Sequence, residues 1–137
     1  MKLRLDFRTV VLACTLLVFT MGHGEGCCTH DSEVLGPKTG TTCPPASTLT
    51  YVSFGQPFME SYCTRCHSST LTGDDRMGAT LYHDFDSRIG VLQVADHVDQ
   101  VAGSGPNATN DSMPPDGAQP SLAEREMLAE WIACGAP

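Results

Sequence analysis

Reading from the N-terminus, the first pattern is an apolar run from Thr9 to Met21, preceded by Lys2, Arg4 and Arg8 against the single acid Asp6. Such a run is short for a bilayer-crossing helix and has the length of a signal-peptide core. Small residues follow at Gly22, Gly24 and Gly26, so residues 1–26 read as an export signal. Residues 27–48 are rich in Gly, Pro, Thr and Ser with few large apolar side chains, which predicts a flexible N-terminal arm. From residue 49 the pattern changes. Tyr51, Phe54, Phe58, Met59 and Tyr62 recur at helical spacing, Ser53 and Gln56 stand as a capping box, and Pro57 fits the first turn, predicting a short amphipathic helix that runs into Cys63. Residues 68–86 show no sustained period and read as loop. A second helix is predicted after Asp86 or Ser87, with Ile89, Val91, Leu92, Val94, Val98 and Val101 as its apolar side and Gly103 as its end. Residues 103–120 are rich in Gly, Pro and Asn and predict a long ordered loop, of the kind that is usually functional. Ser121 and Glu124 form a further capping box, and Leu122, Leu128, Trp131 and Ile132 mark the buried stripe of a last helix ending near Gly135. No alternating strand pattern is present, so the domain at 49–137 is expected to be all-α, with about three main helices and long loops.

Composition narrows the chemistry. At 137 residues the chain supports one domain, and the net charge of -8 with only eight Lys plus Arg argues against a nucleic-acid partner. Removal of residues 1–26 takes away three basic residues and two acids, which leaves a mature charge of about -9 and predicts partners with basic or neutral docking surfaces. Export places the protein in the periplasm or otherwise outside the cytoplasm, in an oxidising compartment. Two routes to a membrane anchor remain open, an uncleaved signal and a lipid on Cys27 or Cys28. Cys14 sits too early in the apolar run for lipid attachment, and the acid in Gly24-Glu25-Gly26 is unusual ahead of a lipidated cysteine.

Cys63-Thr64-Arg65-Cys66-His67 is C-x-x-C-H, the attachment signal of c-type haem. Two thiols at that spacing reach the two vinyl groups on one porphyrin edge, and the adjacent imidazole lands over the iron. A thioredoxin-like redox site would need a βαβ context, and a zinc site would need a second ligand pair; neither is present. One covalent haem c is therefore expected through Cys63 and Cys66, with His67 as an iron ligand. The sixth ligand of an electron carrier is Met or His. Met113, 46 residues after His67 and followed by Pro114-Pro115, is the best candidate because a stiff loop holds a weak ligand in place. Met59 and Met127 lie within predicted helices, Met77 follows His67 by only ten residues, and His83 and His97 read as solvated or core histidines. Arg65 and Arg76 are candidate contacts for the haem propionates.

Residues 53–67, the loop Asp111-Ser112-Met113-Pro114-Pro115 and the final helix at 122–135 together resemble a small class I cytochrome c. The resemblance covers about residues 50–135. It implies a cytochrome c-like fold wrapped around one covalent haem, in which the first and last helices cross where a glycine meets an aromatic residue; Gly55 and Trp131 match those two places. With Cys14 removed and the motif pair committed, Cys27, Cys28, Cys43 and Cys134 allow three connectivities. The implied crossing brings Cys43 and Cys134 together as the expected disulfide, with free thiols or a bridge from Cys134 to Cys27 or Cys28 as alternatives. The function implied is one-electron transfer with His/Met ligation, cycling Fe(III) and Fe(II), without catalytic residues. A haem-based sensor or a small peroxidase-like enzyme would instead need a displaceable sixth ligand, and an electron-entry subunit of a larger oxidoreductase would differ in partner rather than chemistry.

Overall fold

A computed structural model describes residues 35–137; the expected export signal, Cys14, Cys27 and Cys28 lie outside the described residues. In chain order the elements are a π-helical turn Tyr51–Gly55, helix α1 Gln56–Tyr62, a 3-10 turn Gly73–Arg76, helix α2 Arg88–Gln93, helix α3 Ala95–Ala102 and helix α4 Leu122–Ala133. There is no strand among the described residues, only an isolated bridge between Ser104 and Thr109. No helix among them is long and apolar enough to cross a membrane. The domain is mostly helical, as the spacing predicts.

The first helical segment starts earlier than expected. Thr50 has extended backbone and caps the segment: its hydroxyl accepts from the Ser53 N–H, and the Thr50 N–H donates to the Ser53 hydroxyl, each at 3.0 Å. The capping box is therefore Thr50 with Ser53, not Ser53 with Gln56. Its cause is the opening π turn, where the Gly55 N–H reaches back five residues to the Thr50 carbonyl. That extra turn shifts the cap upstream, and the Gln56 amide bonds Glu60 instead.

The single second helix of the sequence reading is two. Val94, with φ -134° and ψ 28°, breaks the path between α2 and α3, and Ser87 is the cap, accepting from the Gly90 N–H. The apolar side does not form one stripe. Val91 and Val98, seven residues apart, are buried, while Ile89 is 69% and Leu92 37% exposed. Breaking at Val94 re-aims the chain so that Val98 and Ala102 reach the core. Gly103 ends α3 as expected.

The arm also needs correction where it is described. Residues 36–41 are irregular but fastened to α3: the Thr39 N–H and hydroxyl both bond the Asp99 carboxylate, at 3.0 and 2.6 Å. The Gly36 N–H donates to the Gln100 carbonyl, and the Gln100 amide returns a bond to the Gly36 carbonyl. Asp99 is nearly buried and needs donors, which this polar segment supplies. A composition poor in apolar residues reads as loose, yet hydrogen bonds hold it.

Helix α4 carries the Ser121–Glu124 capping box in both directions. Its end is set by Gly135 at φ 83°: the Gly135 N–H bonds the Ile132 carbonyl and the Ala136 N–H bonds that of Trp131, the left-handed closure that favours glycine. Leu128, Ala129 and Trp131 are buried, whereas Leu122, expected on the same stripe, is 57% exposed. Gly55 lies against Trp131; a Cβ there would fall 2.7 Å from Cη2 and 2.9 Å from Cε2 of the indole. Cys43 and Cys134 are paired at disulfide distance with Cα atoms 4.7 Å apart.

Candidate functional site

The C-x-x-C-H segment begins where α1 stops. Cys63 caps α1 with its N–H on the Met59 carbonyl, and the Cys66 and His67 N–H groups both return to the Cys63 carbonyl, at 3.1 and 2.9 Å. The five residues therefore form a tight turn that leaves Cys63 and Cys66 as free, half-buried thiols. Burial pushes the Cys63 thiol up to about 12, against the opposing field of Arg125.

His67 is held from two sides. Its Nδ1 lies 3.0 Å from the His83 carbonyl, which can only accept, so Nδ1 carries the proton and Nε2 keeps its lone pair. The Phe85 N–H bonds the His67 carbonyl at 2.8 Å, and the Phe85 ring stacks on the imidazole with centroids 4.7 Å apart and planes within 18°. Burial lowers the affinity of His67 for a second proton, and Arg76 works in the same direction, while the His83 carbonyl opposes them. A neutral imidazole with a fixed tautomer and a free Nε2 is the form that binds a metal. The donor set fits one end of a haem iron, and the paired thiols fit its covalent attachment.

The loop after the motif is organised by Arg76, which is 4% exposed. Nε donates to Ala79 O, Nη1 to Ser68 O and to Asp84, and Nη2 to Thr80 O and His83 O. All five N–H directions are taken, so the propionate contact expected of Arg76 finds no donor left. Arg76 instead shapes the loop that delivers the His83 carbonyl to His67. Arg65 is half-exposed and pairs with Asp116, bonding both its carboxylate and its carbonyl. Met77, set aside on spacing, brings its sulfur to 3.5 Å from Cys66 Sγ.

Met113 stands on the loop at 103–120, half-buried and packed against the core, as Cys63 is. Its N–H donates to Val101 O at 2.9 Å, its carbonyl accepts from Arg125 at 2.9 Å, and Pro114 after it is buried. Arg65, inside the motif, reaches Asp116, three residues beyond Met113. The motif and the methionine loop are thus fastened to each other. Among the described residues no three His, Cys, Asp or Glu side chains converge as a metal cage. His83 and His97 form an edge contact beside His67, with ring centroids 5.6 Å apart. A cavity of about 340 Å³ lies behind the motif, lined by Tyr51, Thr64, Arg65 and Phe85 among others, and includes none of Cys63, Cys66, His67 or Met113.

Sequence reasoning missed the His83 carbonyl, the Phe85 stack and Arg125. Backbone acceptors carry no sequence signal. Arg125 does: it stands three and four residues before Leu128 and Ala129, on the buried face of α4. Comparison with protein-family models, curated proteins and solved structures finds no match to this chain.

Proposed function

We propose that this chain is a monohaem c-type cytochrome of class I kind, a one-electron carrier rather than an enzyme. The observation that carries the reading is C-x-x-C-H with both thiols free and a His67 whose Nδ1–H is committed to the His83 carbonyl. Cys63 and Cys66 would hold the haem, and His67 and Met113 would supply its iron with a nitrogen and a sulfur donor. Bound there, the haem supplies an iron that gains or loses one electron.

The remaining work belongs to the chain. The Nδ1 bond makes His67 a better donor and prevents the ring from rotating. Phe85 covers one face of that ring and excludes water from it. The hydrogen bonds on either side of Met113 hold its backbone in place, and an uncharged sulfur ligand there would favour the ferrous state and raise the reduction potential. The acidic surface suits donors and acceptors with basic or neutral faces. The charged, apolar N-terminal pattern and the Cys43–Cys134 pair both support an exported, periplasmic protein.

Purified mature protein should carry the mass of one haem, retained in acidified organic solvent, and Cys63 and Cys66 should resist alkylation after denaturation. Haem that leaves in that solvent would reject the proposal. Met113→Ala should abolish the weak ferric thioether band at the red end of the visible spectrum and lower the potential. Survival of the band would hand the sixth position to another residue.

A further inference from the structure

Two arginines are buried among the described residues, and they are partnered differently. Arg76 is paired with Asp84 at 2.8 Å. Arg125, 5% exposed, has no carboxylate within ion-pair distance among the described residues. Its Nη1 donates to the carbonyls of Ala102, Asn110 and Met113 at 3.0, 3.1 and 2.9 Å, and its Nη2 to the side-chain oxygen of Gln119 at 3.1 Å. One guanidinium thereby gathers the last residue of α3 and three points along the 103–120 loop. Burying a cation against dipoles alone is costly, and an apolar side chain of similar length would fill the same space without that cost.

We propose that Arg125 is a positioning residue for the axial methionine and a fixed positive charge that favours the reduced protein. The inference rests on the cytochrome reading and adds to it the residue that sets ligand strength. Held by the same fork as Ala102 and Asn110, the Met113 carbonyl cannot move without breaking charge-assisted bonds. Uptake of one electron lowers the charge of the centre by one, so an unneutralised cation nearby stabilises the product of reduction.

The test uses holoprotein with Arg125→Lys, Arg125→Gln and Arg125→Met, titrated with imidazole as a competitor for the sixth position and measured for potential. Arg125→Met should bind imidazole about tenfold more tightly than the parent, since the lost bonds are to a charged donor. Arg125→Lys, which keeps charge without the planar fork, should show a smaller gain. Among variants that keep the thioether band, the potential should fall in Arg125→Gln and Arg125→Met and stay near the parent in Arg125→Lys. Lower melting temperatures with imidazole affinity and potential unchanged would reduce Arg125 to a structural residue and overturn the proposal. If the Arg125 variants fail to assemble, Gln119→Ala, at an exposed position, removes one Arg125 acceptor together with the Gln119 amide bond to Pro114 O and should tighten imidazole binding in the same direction; no change there overturns it equally. A parent protein without covalent haem or thioether band would instead refute the cytochrome reading itself.

Discussion

Adding one methyl group at Gly55 should destabilise the domain by an amount that depends on Trp131. The new Cβ would fall 2.7 and 2.9 Å from two carbons of the indole, inside the roughly 3.5–4.0 Å at which carbons pack, so the ring has to retreat by about 1 Å. Trp131 has no room to do so. It is fully buried, with the Phe54 and Tyr51 rings at 6.2 and 6.4 Å between centroids and its Nε1–H bonded to Pro137 O at 3.3 Å. Overpacking of this kind costs about 1–3 kcal/mol, and the better helix propensity of alanine returns up to ~1 kcal/mol. A net loss of about 1–2 kcal/mol corresponds to roughly 4–8 °C per kcal/mol in Tm for a domain of this size. The informative assay is a double-mutant cycle in urea. Trp131→Ala alone should cost about 3–5 kcal/mol by leaving a cavity, and Gly55→Ala in that background should be neutral or stabilising because the obstructing ring is gone. Equal costs for Gly55→Ala in both backgrounds, at unchanged m-value, would refute the contact as the reason for glycine.

The remaining predictions concern the cross-link and acid. Cys43→Ala or Cys134→Ala opens a loop with a sequence separation of 91 and should lower stability by about 4–5 kcal/mol at most on loop-closure grounds, read as a lower urea midpoint; non-reducing peptide maps should join these two cysteines, and a map that joins Cys134 to Cys27 or Cys28 would contradict the structure. Glu124 is held below its ordinary value of 4.5 by the Ser121 hydroxyl and N–H and by Tyr62, and Asp86 below 3.8 by Ser69 first and by Ser68. A depressed carboxylate contributes stability that is present above its unfolded value and lost as pH falls through the folded one, so urea midpoints should drop below about pH 4.5, and Glu124→Gln should flatten that acid limb. An acid limb of unchanged steepness in Glu124→Gln would remove Glu124 from the account.

Helix-bearing regions were legible because they rest on local spacing, and so was the tight Cys63–His67 segment as a motif directly after a helix. The Ser121–Glu124 cap was readable for the same reason. The Val94 break was not, because Val91, Leu92, Val94 and Val98 satisfy a helical period whether or not the chain turns between them. Nor was the fastening of residues 36–41, since it depends on Asp99, some sixty positions away, coming to lie beneath Thr39. The same limit explains Arg76: nothing near it in the chain reveals that four carbonyls and Asp84 converge on its guanidinium. Composition reports apolar burial well and polar anchoring poorly.

The pairing of Cys43 with Cys134 has a mechanical meaning. It ties the start of the helical region to its end, so a pull applied at residues 35 and 137 is carried through the sulfur link and not through the helices. Under load the oxidised domain could lengthen only by the few residues outside the ring. Cleaving the link would release about 300 Å of extensible chain, at roughly 3.3–3.6 Å per residue over a sequence separation of 91. Tension would then reach the turn at Cys63 and the loop around Met113, which the intact ring shields from it.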